Sequence, residues 1–285
     1  MVRFLLLIVL LTPIFLFGQR ADSIATTQLE KPHHINYWVS TPLTIGLGVL
    51  AARRADLIRS KDPIPRERLN ALNPEDVNGF DRWATKLDID NRSRALFFSD
   101  YMQNFGQSSP LLLMFWKKYR RNVLDIGLMY LEAQTLQGLI YGYSPWGPAS
   151  TDRLRPFAYY RDVEIERRTD GNERNSTYSG HVSTTTTGFF FVAKIIDDYN
   201  PDLTGGQRTL LYTGALVPSL ISGYFRIRAL KHFPSDTALG LVMGAISGWV
   251  VPEIHHKWAK RHRSRLAATP IYGNGAAGAA LSLHF

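Results

Sequence analysis

After Met1, Val2 and Arg3 the chain runs apolar from Phe4 to Phe17, then turns polar at Gly18, Gln19 and Arg20. A short basic start, about 14 apolar residues and a small residue describe a secretory signal peptide better than a spanning helix. Leu16, three before a cut after Gly18, is not small, so an uncleaved signal anchor stays open for residues 1–18. Stretches free of Asp, Glu, Lys, Arg and His follow at Ile35 to Ala52, Tyr101 to Trp116, Ala133 to Thr151, Thr209 to Phe225 and Thr237 to Pro252. From Ala95 to Lys257 there is no strand alternation; turn signals near 106–110, 117–122, 143–151, 199–206 and 232–235 separate helix-length segments. The pattern predicts an all-α fold, a helical bundle of about six helices over residues 95–256. Residues 19–94 read as a polar lead, the first apolar segment and a charged connection with Pro63, Pro65 and Pro74 and a short helix around Gly79 to Leu87. Residues 257–285 form a basic, Gly/Ala-rich tail whose end, Pro270 to Phe285, suits one extended segment packed on something.

With 45% hydrophobic and 20% charged residues the chain is ordered, which excludes collagen-like and low-complexity classes. The net charge of +9 suits an anionic partner: phosphate groups, acidic lipid or nucleic acid. The basic run Lys257 to Arg265 has one aromatic, Trp258, and no nucleic-acid reading motif, so it fits a membrane-proximal or solvated end. Cys 0 removes disulfides, thiolate metal sites and cysteine nucleophiles. His33-His34 and His255-His256 have no carboxylate or third ligand at a fixed spacing, so no metal is expected there. Asp125 and Glu132, seven apart on one helix, share a face and read as a buried polar stripe or a wet face. The apolar segments are marginal for crossing a bilayer, and a mean hydropathy of −0.13 is low for a polytopic protein. If the bundle is membrane-embedded, the clusters Lys117 to Arg121 and Lys257 to Arg265 face the cytoplasm and residues 144–179 face outward. Ile35 to Ala52 would then lie on the membrane or in the fold without crossing. A wholly periplasmic bundle fits as well.

Three short patterns occur in order. Arg155-Pro156 sits within Thr151 to Pro156, with Arg153 two residues earlier; Tyr178-Ser179-Gly180-His181 follows; then Arg226, His232 and Asp236 at spacings of six and four. Ser179-Gly180-His181 precedes an apolar stretch, where a helix begins and free backbone N–H groups can hold an anion. His232 stands just before Pro234, a favoured first-turn residue, and Asp236 can turn back to bond one imidazole nitrogen, leaving the other to attack. Arg155 and Arg226 offer planar forks that match phosphoryl oxygens.

At these residues the sequence resembles the type 2 phosphatidic acid phosphatase superfamily, which includes acid phosphatases and vanadium-dependent haloperoxidases; the match is best from Arg226 to Gly240. The resemblance implies a helical core with the active site at one end. It also implies His232 as phosphorylated nucleophile, Asp236 as its orienter, His181 as the acid for the leaving oxygen, and Arg155, Arg226, Ser179 and Gly180 as phosphate ligands. The family's lysine, seven residues before the Arg of Arg-Pro, is Pro148 here, and no lysine lies between Lys118 and Lys194. Arg153 or Arg228 are the candidates to replace it. The expected function is an exported phosphatase, periplasmic or membrane-embedded with its site outward. It needs no metal or other cofactor, acts on a phosphomonoester or pyrophosphate, more lipid-linked than soluble, and has a membrane but no nucleic acid as partner. The alternatives are a vanadate-dependent haloperoxidase and a catalytically silent envelope protein that binds anionic lipid.

Overall fold

The computed structural model describes residues 31–263, together with the backbone of residues 266–273 and 276–283. The signal segment expected over residues 1–18 lies outside the described residues. Six long helices carry the bundle: α1 (Tyr37–Arg59), α4 (Arg92–Ser108), α6 (Val123–Tyr143), α8 (Gly180–Tyr199), α9 (Gly205–Arg228) and α10 (Pro234–Arg263). Four one-turn helices fill the connections: α2 (Arg66–Asn70), α3 (Gly79–Arg82), α5 (Lys117–Arg120) and α7 (Ile165–Arg168). The described residues thus hold ten α-helices where the hydrophobic pattern predicted about six. Charge-free runs register long helices, whereas pieces of four or five residues leave no periodic trace. The segment expected around Gly79 to Leu87 is α3 followed by a 3₁₀ turn, Trp83–Lys86.

The closest packing is that of α8 on α10, and small residues make it possible. Gly240, Gly244 and Gly248 recur every fourth residue along one face of α10. A Cβ on them would sit 2.8 Å from the Ser179 carbonyl oxygen, 2.3 Å from that of Ser183 and 2.4 Å from that of Thr187. The two helices therefore run parallel and in near contact, and both N-termini lie at one end of the bundle. On the other side of α8, Gly106 of α4 plays the same part, since a Cβ there would meet Thr185 Cα at 2.6 Å. Below this polar first half, Phe189, Phe191, Val192, Ile195 and Ile196 of α8 form the core with Ile126 and Met129 of α6, Leu211 and Ala215 of α9, and Val251 of α10. Their removal from water supplies the main driving force for assembly.

Helix α1 lies alongside α6 over its whole length, tied at the far end by Tyr37 Oη donating to Asp125 and at the site end by Arg54 Nε donating to the Gly142 carbonyl at 2.9 Å. Ile35 to Ala52 therefore lies within the fold, running along α6 from one end of the bundle to the other. The charge-free run stops at Ala52, but the helix continues through the charged residues 53–59, which the run length could not reveal. The described residues of both basic clusters lie at the end opposite the N-termini of α8 and α10: Lys118 Nζ donates to Asn200 just past α8, and Lys257 pairs with Glu253 near the end of α10. Large apolar side chains stay exposed along the outer faces, among them Trp38 (92%), Leu124 (74%), Phe115 (76%) and Ile254 (58%). One described helix, over residues 234–261, is long and apolar enough to cross a bilayer.

The C-terminal tail differs from the single extended segment expected. Leu266–Gly273 and Ala276–Leu283 pair as antiparallel strands β1 and β2, with Gly273 opposite Ala276. That register leaves two residues between the strands in sequence, Asn274 and Gly275, the strongest dipeptide signal for a hairpin and one that a search for apolar runs passes over.

Candidate active site

A cavity of about 490 Å³ opens at the end of the bundle where α8 and α10 begin and α9 ends. Arg155, Gly180, His181, Arg226, Lys231 and His232 line it, with Tyr141, Asp100 and Arg59 around them. The three sequence patterns, spread over some eighty residues, thus meet in one cavity, though not every residue takes the place expected of it.

His232 is buried, and its Nδ1 lies 2.6 Å from the backbone carbonyl oxygen of Ser176. A carbonyl only accepts, so Nδ1 carries the proton and Nε2 keeps its lone pair. Burial, Arg226 and Arg155 push its pKa well below the ordinary value, which keeps the ring neutral. Asp236 does not reach the imidazole. It occupies the third position of α10, and from there its Oδ2 accepts the Phe233 N–H at 2.9 Å, as acidic residues at that position commonly do. The same carboxylate accepts from Ser176 Oγ at 2.6 Å and from Arg153. Its hold on His232 is therefore indirect, through the Ser176 whose carbonyl orients the ring.

Arg153 is likewise placed elsewhere. Its guanidinium bridges Asp236 and Asp81 (2.6 Å), donates to Ser235 Oγ (2.9 Å) and stacks over Phe233, and it does not line the cavity. Two buried carboxylates hold it more firmly than a transient anion could. Ser179 is the N-cap of α8: its side chain accepts from the Val182 N–H and its own N–H donates to the Asp236 carbonyl at 3.1 Å. It shapes the helix start without lining the cavity, whereas Gly180 and His181, the first two residues of α8, do line it. A Cβ on Gly180 would come within 3.1 Å of the Tyr141 ring.

Arg155 and Arg226 are both buried in the wall, and Arg155 Nη1 and Arg226 Nε have no hydrogen-bond partner. Burial and the neighbouring Arg155 lower the Arg226 pKa to about 9, although Arg226 Nη1 lies 3.6 Å from Asp100 Oδ1 and Arg155 Nη1 lies 3.8 Å from Glu173 Oε1. His181 Nε2 lies 3.0 Å from Asp100 Oδ1, and burial together with Arg226, Arg155 and Lys231 pushes its pKa well down. A bound dianion would offset the part of that push that comes from the cations, while burial, its larger cause, acts in the same direction as before.

Asp100, Lys231, Tyr141 and Ser176 escaped the sequence reading. Asp100 stands 81 residues before His181 with no spacing to betray it. Lys231, adjacent to His232 inside the best-matching stretch, was legible in principle. The reading also missed a second cluster at the opposite end, where His33 Nε2 lies 2.9 Å from Asp198 Oδ2 and His256 Nδ1 lies 3.8 Å from Oδ1. Their ligand atoms lie close enough together to hold a metal ion, a proximity that no fixed spacing announces because His33 comes from the segment before α1, Asp198 from α8 and His256 from α10. Lys194 Nζ, 2.6 Å from Asp198 Oδ1 and 2.6 Å from Glu253, already neutralises that carboxylate.

Parallel helices converge on a cavity with two buried guanidiniums and two histidines in its wall, a lining whose charge suits an anion. Residues 123–260 match the family model of the PAP2 superfamily. Members of this superfamily are generally phosphatases. No curated protein and no solved structure matches the chain. The match takes in Arg155, His181, Arg226 and His232 but not α1 or α4, so Arg59 and Asp100 come from outside it.

Proposed function

We propose that the protein is a metal-independent phosphatase that hydrolyses a phosphomonoester or pyrophosphate through a phosphohistidine. The observation that carries this reading is the neutral His232, its Nδ1 proton given to the Ser176 carbonyl and its Nε2 free beside buried Arg155 and Arg226. Nε2 attacks phosphorus, and the P–O bond to the leaving group breaks. The protonated His181, its pKa raised by the bound anion, gives its proton to the departing oxygen. Water then loses a proton to His181 and attacks the phosphohistidine, releasing phosphate and restoring both rings. Arg155 and Arg226 neutralise charge on the equatorial oxygens as it develops, with the N–H groups of Gly180 and His181 at the α8 N-terminus adding to it.

A lipid-linked substrate and a membrane-associated, exported protein with its site outward are favoured by the exposed apolar side chains on the bundle's outer faces and by Ala55, Ile58 and Leu96 in the cavity wall. The test is phosphate release from a panel of lipid phosphates, a lipid pyrophosphate and an aryl phosphate, with chelator present and no vanadate added. Rapid acid-free quenching with labelled substrate should mark His232. Label on another residue, or turnover that requires a divalent ion, would overturn the mechanism; halide oxidation only with added vanadate would move the protein to the haloperoxidases.

A further inference from the structure

The cavity wall holds a cation that neither sequence pattern nor comparison singles out. Lys231 follows α9 in a C-terminal turn in which the Leu230 N–H bonds the Ile227 carbonyl at 2.9 Å and the Lys231 N–H bonds the Arg226 carbonyl at 3.2 Å. Leu230 at the centre of this turn has φ 57, a left-handed conformation that glycine usually takes. A buried leucine held there, its own carbonyl accepting the Phe157 N–H at 3.2 Å, fixes the direction in which the next two side chains leave the turn. Both of them, Lys231 and His232, line the cavity.

Lys231 Nζ bonds Glu173 Oε1 at 2.9 Å, and the same oxygen lies 3.8 Å from Arg155 Nη1. Glu173 is buried, and its Oε2 has no hydrogen-bond partner. One carboxylate thus serves two cations, with the guanidinium on the cavity wall left an unpartnered N–H. Three other cations are less suited to the role. Lys61 Nζ donates to the carbonyls of Pro148 (2.6 Å) and Thr151 (2.8 Å) and does not line the cavity; Arg153 is clamped by Asp81 and Asp236; Arg59 is a 79% exposed side chain at the mouth.

Resting on the phosphatase reading, we propose that Lys231 is a phosphoryl-oxygen donor of this enzyme, supplying from the residue before the nucleophile the ammonium that Pro148 leaves out, with Glu173 as the residue that positions it beside Arg155. When substrate binds, its oxygens replace part of the Glu173 contact, and the three protons of the ammonium allow both to be kept. Burial and Arg155 lower the Lys231 pKa to about 8, while Glu173 holds it up; Arg92 and His181 are the other charged or titratable groups facing it.

The experiment compares wild type with Lys231→Ala, Lys231→Gln and Lys231→Arg by steady-state kinetics on an aryl phosphate, competitive inhibition by inorganic phosphate, and calorimetric phosphate binding. Loss of the donor should lower kcat/KM about 100-fold and weaken inorganic phosphate at least about tenfold in both neutral variants. Lys231→Arg should keep most activity and move the alkaline limit of inorganic-phosphate binding upward from about 8, since a guanidinium stays charged. Glu173→Gln should raise KM more than it lowers kcat, as befits a positioning residue. Pro148→Lys placed on Lys231→Ala should recover activity if the two positions serve one oxygen. Lys231→Gln that folds and binds phosphate as wild type does overturns the proposal. Calorimetry keeps the two readings apart: a wild type that releases no phosphate from any substrate refutes the phosphatase reading, whereas unequal phosphate binding by wild type and Lys231→Gln still supports the donor.

Discussion

At the scale of single residues, the site separates groups that meet the anion from groups that hold those in place. Arg153 belongs to the second kind. Removing it leaves Asp81 and Asp236, both fully buried, facing each other without a cation, and breaking a buried pair in this way costs about 3–5 kcal/mol. Arg153→Ala should therefore lower the denaturation midpoint sharply and leave the KM of the surviving fraction nearly unchanged. Arg155→Ala should do the reverse, raising KM and lowering kcat with a smaller loss of stability; equal stability losses in the two variants would refute this division of labour. His232 adds a pH dependence with a definite sign. Its folded pKa is depressed, so below about pH 6.5 the unfolded chain binds a proton the native one refuses, and stability falls as pH falls. Denaturant titrations at pH 7.5 and pH 5 should show the loss, and His232→Gln should reduce it. The acid limb of kcat/KM should lie below 6.5 for the same reason.

At the scale of elements, the site exists because two helix N-termini are held side by side, and the glycines of α10 set that separation. A methyl group at Gly244 would stand 2.3 Å from the Ser183 carbonyl, so the helices must part. Gly244→Ala should cost about 1–3 kcal/mol by overpacking. It should also lower kcat, because His181 rides on α8 and His232 precedes α10. The turn at Leu230 tests a competition of magnitudes. Leu230→Gly relieves a left-handed strain of about 1–2 kcal/mol. It also removes a fully buried side chain, a loss of about 2–5 kcal/mol. Net destabilisation is expected in thermal melts, and a gain in stability would mean that packing of Leu230 counts for little.

At the scale of the whole molecule, apolar side chains exposed around α1, α6 and α10 give the bundle a surface suited to acyl chains, and the net charge of +9 favours anionic headgroups. The protein should float with vesicles of anionic lipid on a density gradient. Trp38→Ser combined with Leu124→Ser should weaken that partition at least about tenfold, from roughly 25 cal/mol per Å² of apolar surface no longer withdrawn from water. Unchanged flotation would remove this face from contact with lipid.

The long helices and the order of the motifs were legible in the sequence, because both depend on residues close together along the chain. Helix α8 was readable from an N-cap serine followed by apolar residues, and His232 before Pro234 marked the start of α10. Partnership was not readable, because it depends on which elements come to face each other. Asp236 was expected to orient His232 from four residues away, yet the helical direction of its side chain gives it to the Phe233 N–H, Ser176 and Arg153, and the imidazole is held by a backbone carbonyl 56 residues earlier. Arg153 was expected at the phosphate and is held by Asp81, 72 residues away. Local spacing determined which groups the chain carries to the end of the bundle; tertiary packing decided which of them face the cavity, because buried charges go to whatever opposite charge the fold places within reach.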